Sequence, residues 1–114
     1  MLIKKDEMKQ FRSSRWWSNV QALRADCGIS EKDFSQYIGK NENYINLAVR
    51  NGGVPNLADA LTIAQAFDVT IEELAFGAVG LEIRKAQLEA ELKRITEEIE
   101  DAKKDMEVIR EDAE

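Results

Sequence analysis

The sequence predicts an all-α chain: five short helices followed by one long one. Three observations predict it. Apolar residues recur at helical spacing between Ser13 and Phe76, with no strand-like alternation. Capping residues and glycines punctuate that stretch at short intervals. From Ala78 onward the apolar residues repeat every seven positions, and neither Gly nor Pro occurs after Gly80. The expected organisation is a basic arm over 1–13, a globular helical domain over 14–77 and an extended helix over 78–114.

The arm carries Lys4, Lys5, Lys9 and Arg12 among Leu2, Ile3, Met8 and Phe11. It reads either as a frayed terminus or as a basic segment that lies on a nucleic-acid backbone. The first helix is expected from Ser13 or Ser14 to about Cys27. Trp16, Val20, Leu23 and Cys27 form its apolar stripe, and Gly28 ends it. At least one of Trp16 and Trp17 is expected in a core or at a seam between copies.

Ser30 is a good N-cap for the second helix, with Asp33 placed to complete a capping box. Phe34, Tyr37 and Ile38 fall on one helical face. Gly39 follows where the chain needs a positive φ. Asn41 is placed to cap a third helix, whose apolar face is Tyr44, Ile45 and Ala48 and which ends near Arg50. Two short helices joined by a glycine turn are a helix-turn-helix unit. In that unit the segment 41–49 enters a DNA major groove.

Asn51, Gly52, Gly53 and Pro55 interrupt the chain. Asn56 caps a fourth helix, with Leu57, Ala60, Leu61, Ala64 and Phe67 on one side and Ile63 beside them. Asp68 and Val69 turn out of it. Thr70 and Glu73 make a capping box for a short fifth helix through Leu74 and Phe76, and Gly77 closes that helix.

Over residues 17–77 these features resemble a known family. Leu23-Arg24, Gly28-Ile29-Ser30, Phe34-Ser35, Ile38-Gly39, Tyr44-Ile45, Pro55, Ile63-Ala64, Phe67, Val69 and Leu74 have the order and spacing of the Cro/phage-repressor-like (Xre-type) helix-turn-helix family. The resemblance implies a five-helix, lambda-repressor-like DNA-binding domain, usually dimeric and usually part of a transcriptional repressor. Three departures stand out. Glu31 occupies a position where the family commonly has a phosphate-binding Gln. Val49 replaces a Glu that often pairs with the arginine here numbered Arg24. The outward positions of the third helix are Asn41, Glu42, Asn43, Asn46 and Leu47, where relatives carry more cations.

Those five residues are the expected base contacts. Asn pairs bidentately with adenine, a carboxylate accepts from cytosine N4, and Leu47 suits a thymine methyl. Backbone contacts are expected from Lys32, Lys40, Arg50, Arg24, Arg15 and Arg12. The net charge of −6 reads against nucleic acid, but it is unevenly spread. Residues 1–24 carry +4, residues 28–55 sum to zero and residues 79–114 carry −5.

In the long helix Leu81, Leu88, Ile95, Ala102 and Ile109 take position d of the heptad. Ala78, Lys85, Leu92, Ile99, Met106 and Ala113 take position a. Dimerisation is expected through Leu81, Leu88, Leu92, Ile95, Ile99, Met106 and Ile109. A parallel pair would set Arg84 against Glu89, Glu98 against Lys103 and Asp105 against Arg110, with no repulsive pair.

The inventory narrows function further. There is no histidine and one cysteine, which removes zinc sites, histidine bases and disulfides within the chain. No cofactor and no enzymatic activity are expected. No apolar run suits a membrane span or signal peptide, and a lone thiol fits a reducing cytoplasm. The expected partners are double-stranded DNA and a second copy. The alternative is a protein-interaction module, antirepressor-like, antitoxin-like or a phage scaffold, that kept the fold and associates through its acidic helix.

Overall fold

The computed structural model describes residues 1–112, with side-chain surroundings described through residue 110. Among the described residues six α-helices follow a 3₁₀ turn at Lys5–Glu7. They are α1 (Ser13–Asp26), α2 (Glu31–Tyr37), α3 (Tyr44–Asn51), α4 (Leu57–Ala66), α5 (Ile71–Phe76) and α6 (Val79–Asp112). No strand occurs among the described residues. The chain divides into two compact units, Met1–Ile83 and Arg84–Glu114. The seam position Ala113 lies outside the described residues.

In the first unit, local chemistry sets most helix starts. Ser30, Asn56 and Thr70 each accept a side-chain hydrogen bond from the backbone N–H three residues on. α1 starts differently. Its N-cap, Arg12, makes no side-chain cap. Instead Phe11 lies 6.3 Å from Trp16, a residue just outside the helix packed on one in its first turns. That pairing is a hydrophobic staple, which fixes how the chain enters the helix.

The core joins α1 to every later helix of this unit. Trp16, Trp17, Val20, Phe34, Ile45, Ile63 and Leu74 are buried, with Ala60, Ala64 and Ala75 among them. Both tryptophans are therefore core residues. Trp17 meets Trp16 and Tyr44 edge-on, each at 6.4 Å. Its indole N–H donates to Gly53 O at 2.6 Å, tying the α3–α4 loop to α1. Phe34 and Phe67 stack at 4.9 Å, joining α2 to the end of α4.

Asn19 is buried as well. Its Nδ2 donates to Leu74 O at 2.8 Å and Gly77 O at 3.1 Å, and its Oδ1 accepts from Gly80 N at 2.8 Å. One side chain thus satisfies two carbonyls at the end of α5 and an unpaired N–H in the first turn of α6. Gly80 permits the approach: a Cβ there would sit 2.8 Å from Asn19 Oδ1.

Four expectations about faces and ends need correction. Tyr37 is 71% exposed, because the buried side of α2 is Phe34, Ser35 and Ile38. Ser35 turns that side away from Tyr37 at roughly 100° per residue. Leu57 and Leu61 are 70% and 45% exposed. Ala60, Ile63, Ala64 and Phe67 form the true stripe of α4, and the two leucines lie beside it. Cys27 is exposed, since α1 ends at Asp26 and Cys27 is its C-cap. The third helix begins at Tyr44, not at Asn41. The Asn41 side chain folds back to accept from Asn43 N at 3.0 Å, closing a local turn instead of capping a helix.

Candidate nucleic-acid interface

The candidate surface is built on Ser35. Its hydroxyl donates to Glu31 O at 2.7 Å, one turn back in α2, and accepts from Ile45 N at 3.1 Å in the first turn of α3. It therefore occupies one of the N–H groups that a helix start leaves unpaired. Between the helices Gly39 takes φ +79°, and Lys40 N donates to Ser35 O at 2.9 Å. A side chain at position 39 would be strained in that conformation.

α3 buries Ile45 and turns Asn43, Asn46, Leu47 and Arg50 outward. Those four follow i, i+3, i+4, i+7, so they share one face. Asn41 and Glu42 are exposed in the preceding turn. Arg50 Nη2 donates to Asn46 Oδ1 at 3.0 Å, which leaves the amide nitrogen of Asn46 as a donor. All five expected base contacts thus lie in the turn or on the outer face of α3.

The expected backbone contacts sit in three different environments. Lys32 Nζ is 3.5 Å from Glu42, with both side chains well exposed. Lys40 Nζ is 2.8 Å from Asp59 Oδ1, whose side chain is only 13% exposed. Tyr44 OH donates to the other oxygen of Asp59 at 3.1 Å, and Lys40 lies 5.5 Å from the centre of the Tyr44 ring. Burial, then the hydrogen bond to Asp59 and its negative charge, push the Tyr44 hydroxyl up to about 12. This cluster fastens both the α2–α3 turn and the start of α3 to the first turn of α4.

Arg24 is half-buried. Its Nη1 donates to Ile29 O at 2.6 Å and its Nε to Gln21 Oε1 at 2.8 Å. With valine at position 49, the guanidinium has taken a backbone carbonyl of the α1–α2 turn as its acceptor. Arg12 and Arg15 are exposed and line a cleft of about 290 Å³ with Lys9, Gln10, Ala75 and Phe76. Lys9 lies 5.7 Å from the Phe76 ring centre, and Arg15 Nη1 is 3.4 Å from Gly77 O. Arg50, Arg12 and Arg15 form no ion pair with the described carboxylates.

A helix-turn-helix family model matches residues 20–74, from the middle of α1 to the buried leucine of α5. Residues 20–74 are a helix-turn-helix domain of the Xre/Cro type. The helix-turn-helix domain is that of a DNA-binding regulator, a class typically without enzymatic activity. Neither the curated proteins nor the solved structures gave a match. Among the described residues no helix is long and apolar enough to cross a membrane.

Three side chains that organise the helix-turn-helix domain are not among the residues expected from sequence to act. They are Ser35, Asp59 and Asn19. Ser35 and Asn19 carry a faint signal, because each is a polar residue inside an apolar helical stripe. Asp59 carries none: it reads as an ordinary first-turn acid of α4.

In the second unit α6 leaves its seam open. Leu88, Leu92, Ile95, Ile99, Met106 and Ile109 are each between 40% and 65% exposed.

Proposed function

We propose that the protein is a dimeric transcriptional regulator, a repressor in its simplest form, that reads a two-fold symmetric operator with the outer face of α3. The observation that carries this reading is the row Asn43, Asn46, Leu47 and Arg50, held outward by a helix whose start is fixed by Ser35, Lys40 and Asp59. Asn41, Glu42, Asn43, Asn46 and Leu47 make the base contacts. Arg50, Arg12 and Arg15 supply backbone attraction. Lys32, Lys40 and Arg24 add to it to the extent that they exchange their present partners for phosphates. Position 31, a glutamate, repels phosphate, so affinity rests more on base edges than on backbone charge.

The dimer forms through the seam of α6, from Leu81 to Ile109, with two parallel helices. That places two reading heads on half-sites about 34–36 Å apart, or a multiple of that. Repression follows from occupying a promoter, in the cytoplasm where the operator lies.

One observation favours a second reading. Two of the three cations between Gly28 and Pro55 are engaged with carboxylates, Lys32 with Glu42 and Lys40 with Asp59. A domain so neutral is also suited to a protein partner recruited by the acidic helix. Titration of a fluorescent random-sequence duplex at two salt concentrations separates the two. The DNA reading predicts binding that weakens linearly in log salt, with a slope near −0.9 per phosphate neutralised, about −3 to −5 if three to five cations engage. Absence of binding by the full chain near ~50 mM salt rules out the DNA reading.

A further inference from the structure

Two lysines of the helix-turn-helix unit have carboxylate partners, and the partners differ in kind. Lys32 Nζ stands 3.5 Å from Glu42, and the two side chains are 64% and 49% exposed. Such a pair is weak and exchanges readily. Asp59 is held differently. It lies in the first turn of α4, where the positive end of the helix favours a carboxylate. Its Oδ1 takes Lys40 at 2.8 Å, its Oδ2 accepts from Tyr44 OH at 3.1 Å, and its side chain is 13% exposed. Its backbone N–H donates to Asn56 Oδ1 at 2.8 Å, which fixes the backbone that carries it. A Lys40 that left for a phosphate would strand a partly desolvated carboxylate with one neutral donor.

We infer that Asp59 is a positioning residue for DNA reading: it withholds Lys40 from the phosphates and uses it to fix the turn that carries Asn41 and Glu42. Lys40 directly precedes Asn41, and its own N–H donates to Ser35 O at 2.9 Å. Its backbone is thus tied to α2 and its side chain to α4. Asn41 Oδ1 accepts from Asn43 N at 3.0 Å, and Tyr44 N donates to Asn41 O at 2.9 Å. The fixed turn therefore runs directly into the outer row of α3. The two consequences have opposite signs. Charge withheld from phosphates weakens sequence-independent binding. A turn fixed in advance keeps the base-reading side chains in place and strengthens discrimination. Removal of a merely structural carboxylate would weaken both.

The inference rests on the DNA reading, and its test keeps the two apart. Binding of the full chain to a random-sequence duplex is measured between ~50 and ~200 mM salt, for the wild type, Asp59→Asn, Lys40→Met and the two changes together. The same proteins are compared on a duplex selected by the wild type. Asparagine at 59 keeps an acceptor for Tyr44 and loses only the charge. Asp59→Asn is expected to bind random duplex more tightly, with a log–log slope steeper by about 0.9, so that its affinity falls about 3.5-fold further over that salt range. Its preference for the selected duplex is expected to drop by about 5-fold, the size of one weak base contact. In the paired variant the added slope is expected to vanish. Lys40→Met alone is expected to keep the wild-type slope, an arm that stands even where Asp59→Asn unfolds. A Lys40→Met slope shallower by about 0.9 puts Lys40 on a phosphate in the wild type and overturns the inference. So does an Asp59→Asn protein, folded by its tryptophan emission, whose slope or preference is unchanged. A wild-type chain that leaves the duplex unbound near ~50 mM salt overturns the DNA reading, and this inference with it.

Discussion

At the scale of single residues, the reading surface depends on side chains that never face a ligand. Ser35 is fully buried and bonds across the α2–α3 joint. Replacing it with alanine removes the hydroxyl with little change in size and strands the Ile45 N–H in the interior. The expected cost is about 1–3 kcal/mol of stability, measured by urea unfolding. Tyr44 makes a pH prediction with a definite sign. Its hydroxyl ionises near 10.0 in the unfolded chain and near 12 in the folded one. Between those values the folded state keeps a proton the unfolded state has lost, so unfolding is favoured progressively. This part of the stability is whole below pH 10.0 and lost as pH rises through about 12. In Tyr44→Phe that alkaline fall is expected to be shallower than in the wild type, as read by thermal unfolding across the same pH range. Asn19 and Ser35 show why such residues are hard to foresee. A polar residue within a helix is exposed by default, and only the tertiary partner, a carbonyl 55 residues away for Asn19, reveals it as buried.

At the scale of elements, the helix starts were legible because capping is local chemistry. Ser30, Asn56 and Thr70 are followed by partners three positions on, and all three bonds form. The start of α3 was not legible for the same reason: Asn41 has a competing local bond to Asn43, and it wins. Rotation was harder than extent. In α4 the large leucines suggest the buried face, yet the face is set by Ala60 and Ala64, whose small side chains let neighbours approach around Ile63. The five residues expected from sequence to meet bases are all exposed, in the turn before α3 or on its outer side. Pairing of the cations was not legible, since Lys40 meets Asp59 from another helix. For α6 the heptad is legible throughout, and its seam is exposed as a single helix presents it. Leu88→Lys with Ile95→Lys places charges in two successive layers of that seam. The double variant is expected to be monomeric by light scattering while retaining its helix-turn-helix domain, seen as an unchanged tryptophan emission from buried Trp16 and Trp17. An unchanged mass would place dimerisation elsewhere.

At the scale of the whole chain, a net charge of −6 coexists with a DNA-binding domain because the charge is segregated along the sequence. The positive excess lies before Ala25, residues 28–55 sum to zero, and half of the acidic residues lie in α6. A neutral head implies that specificity contributes an unusually large share of affinity, which is the central claim made for α3. The direct test is enrichment of a bound motif from a random duplex pool, comparing the wild type with Asn43→Ala/Asn46→Ala. The wild type is expected to enrich one motif with inverted halves about 10–10.5 base pairs apart, centre to centre, or a multiple. The double variant is expected to lose roughly 1–3 kcal/mol of preference per lost base contact, about 5- to 150-fold for each, while its weak sequence-independent binding persists. A double variant that enriches the same motif with undiminished preference would contradict the assignment of base reading to the outer face of α3.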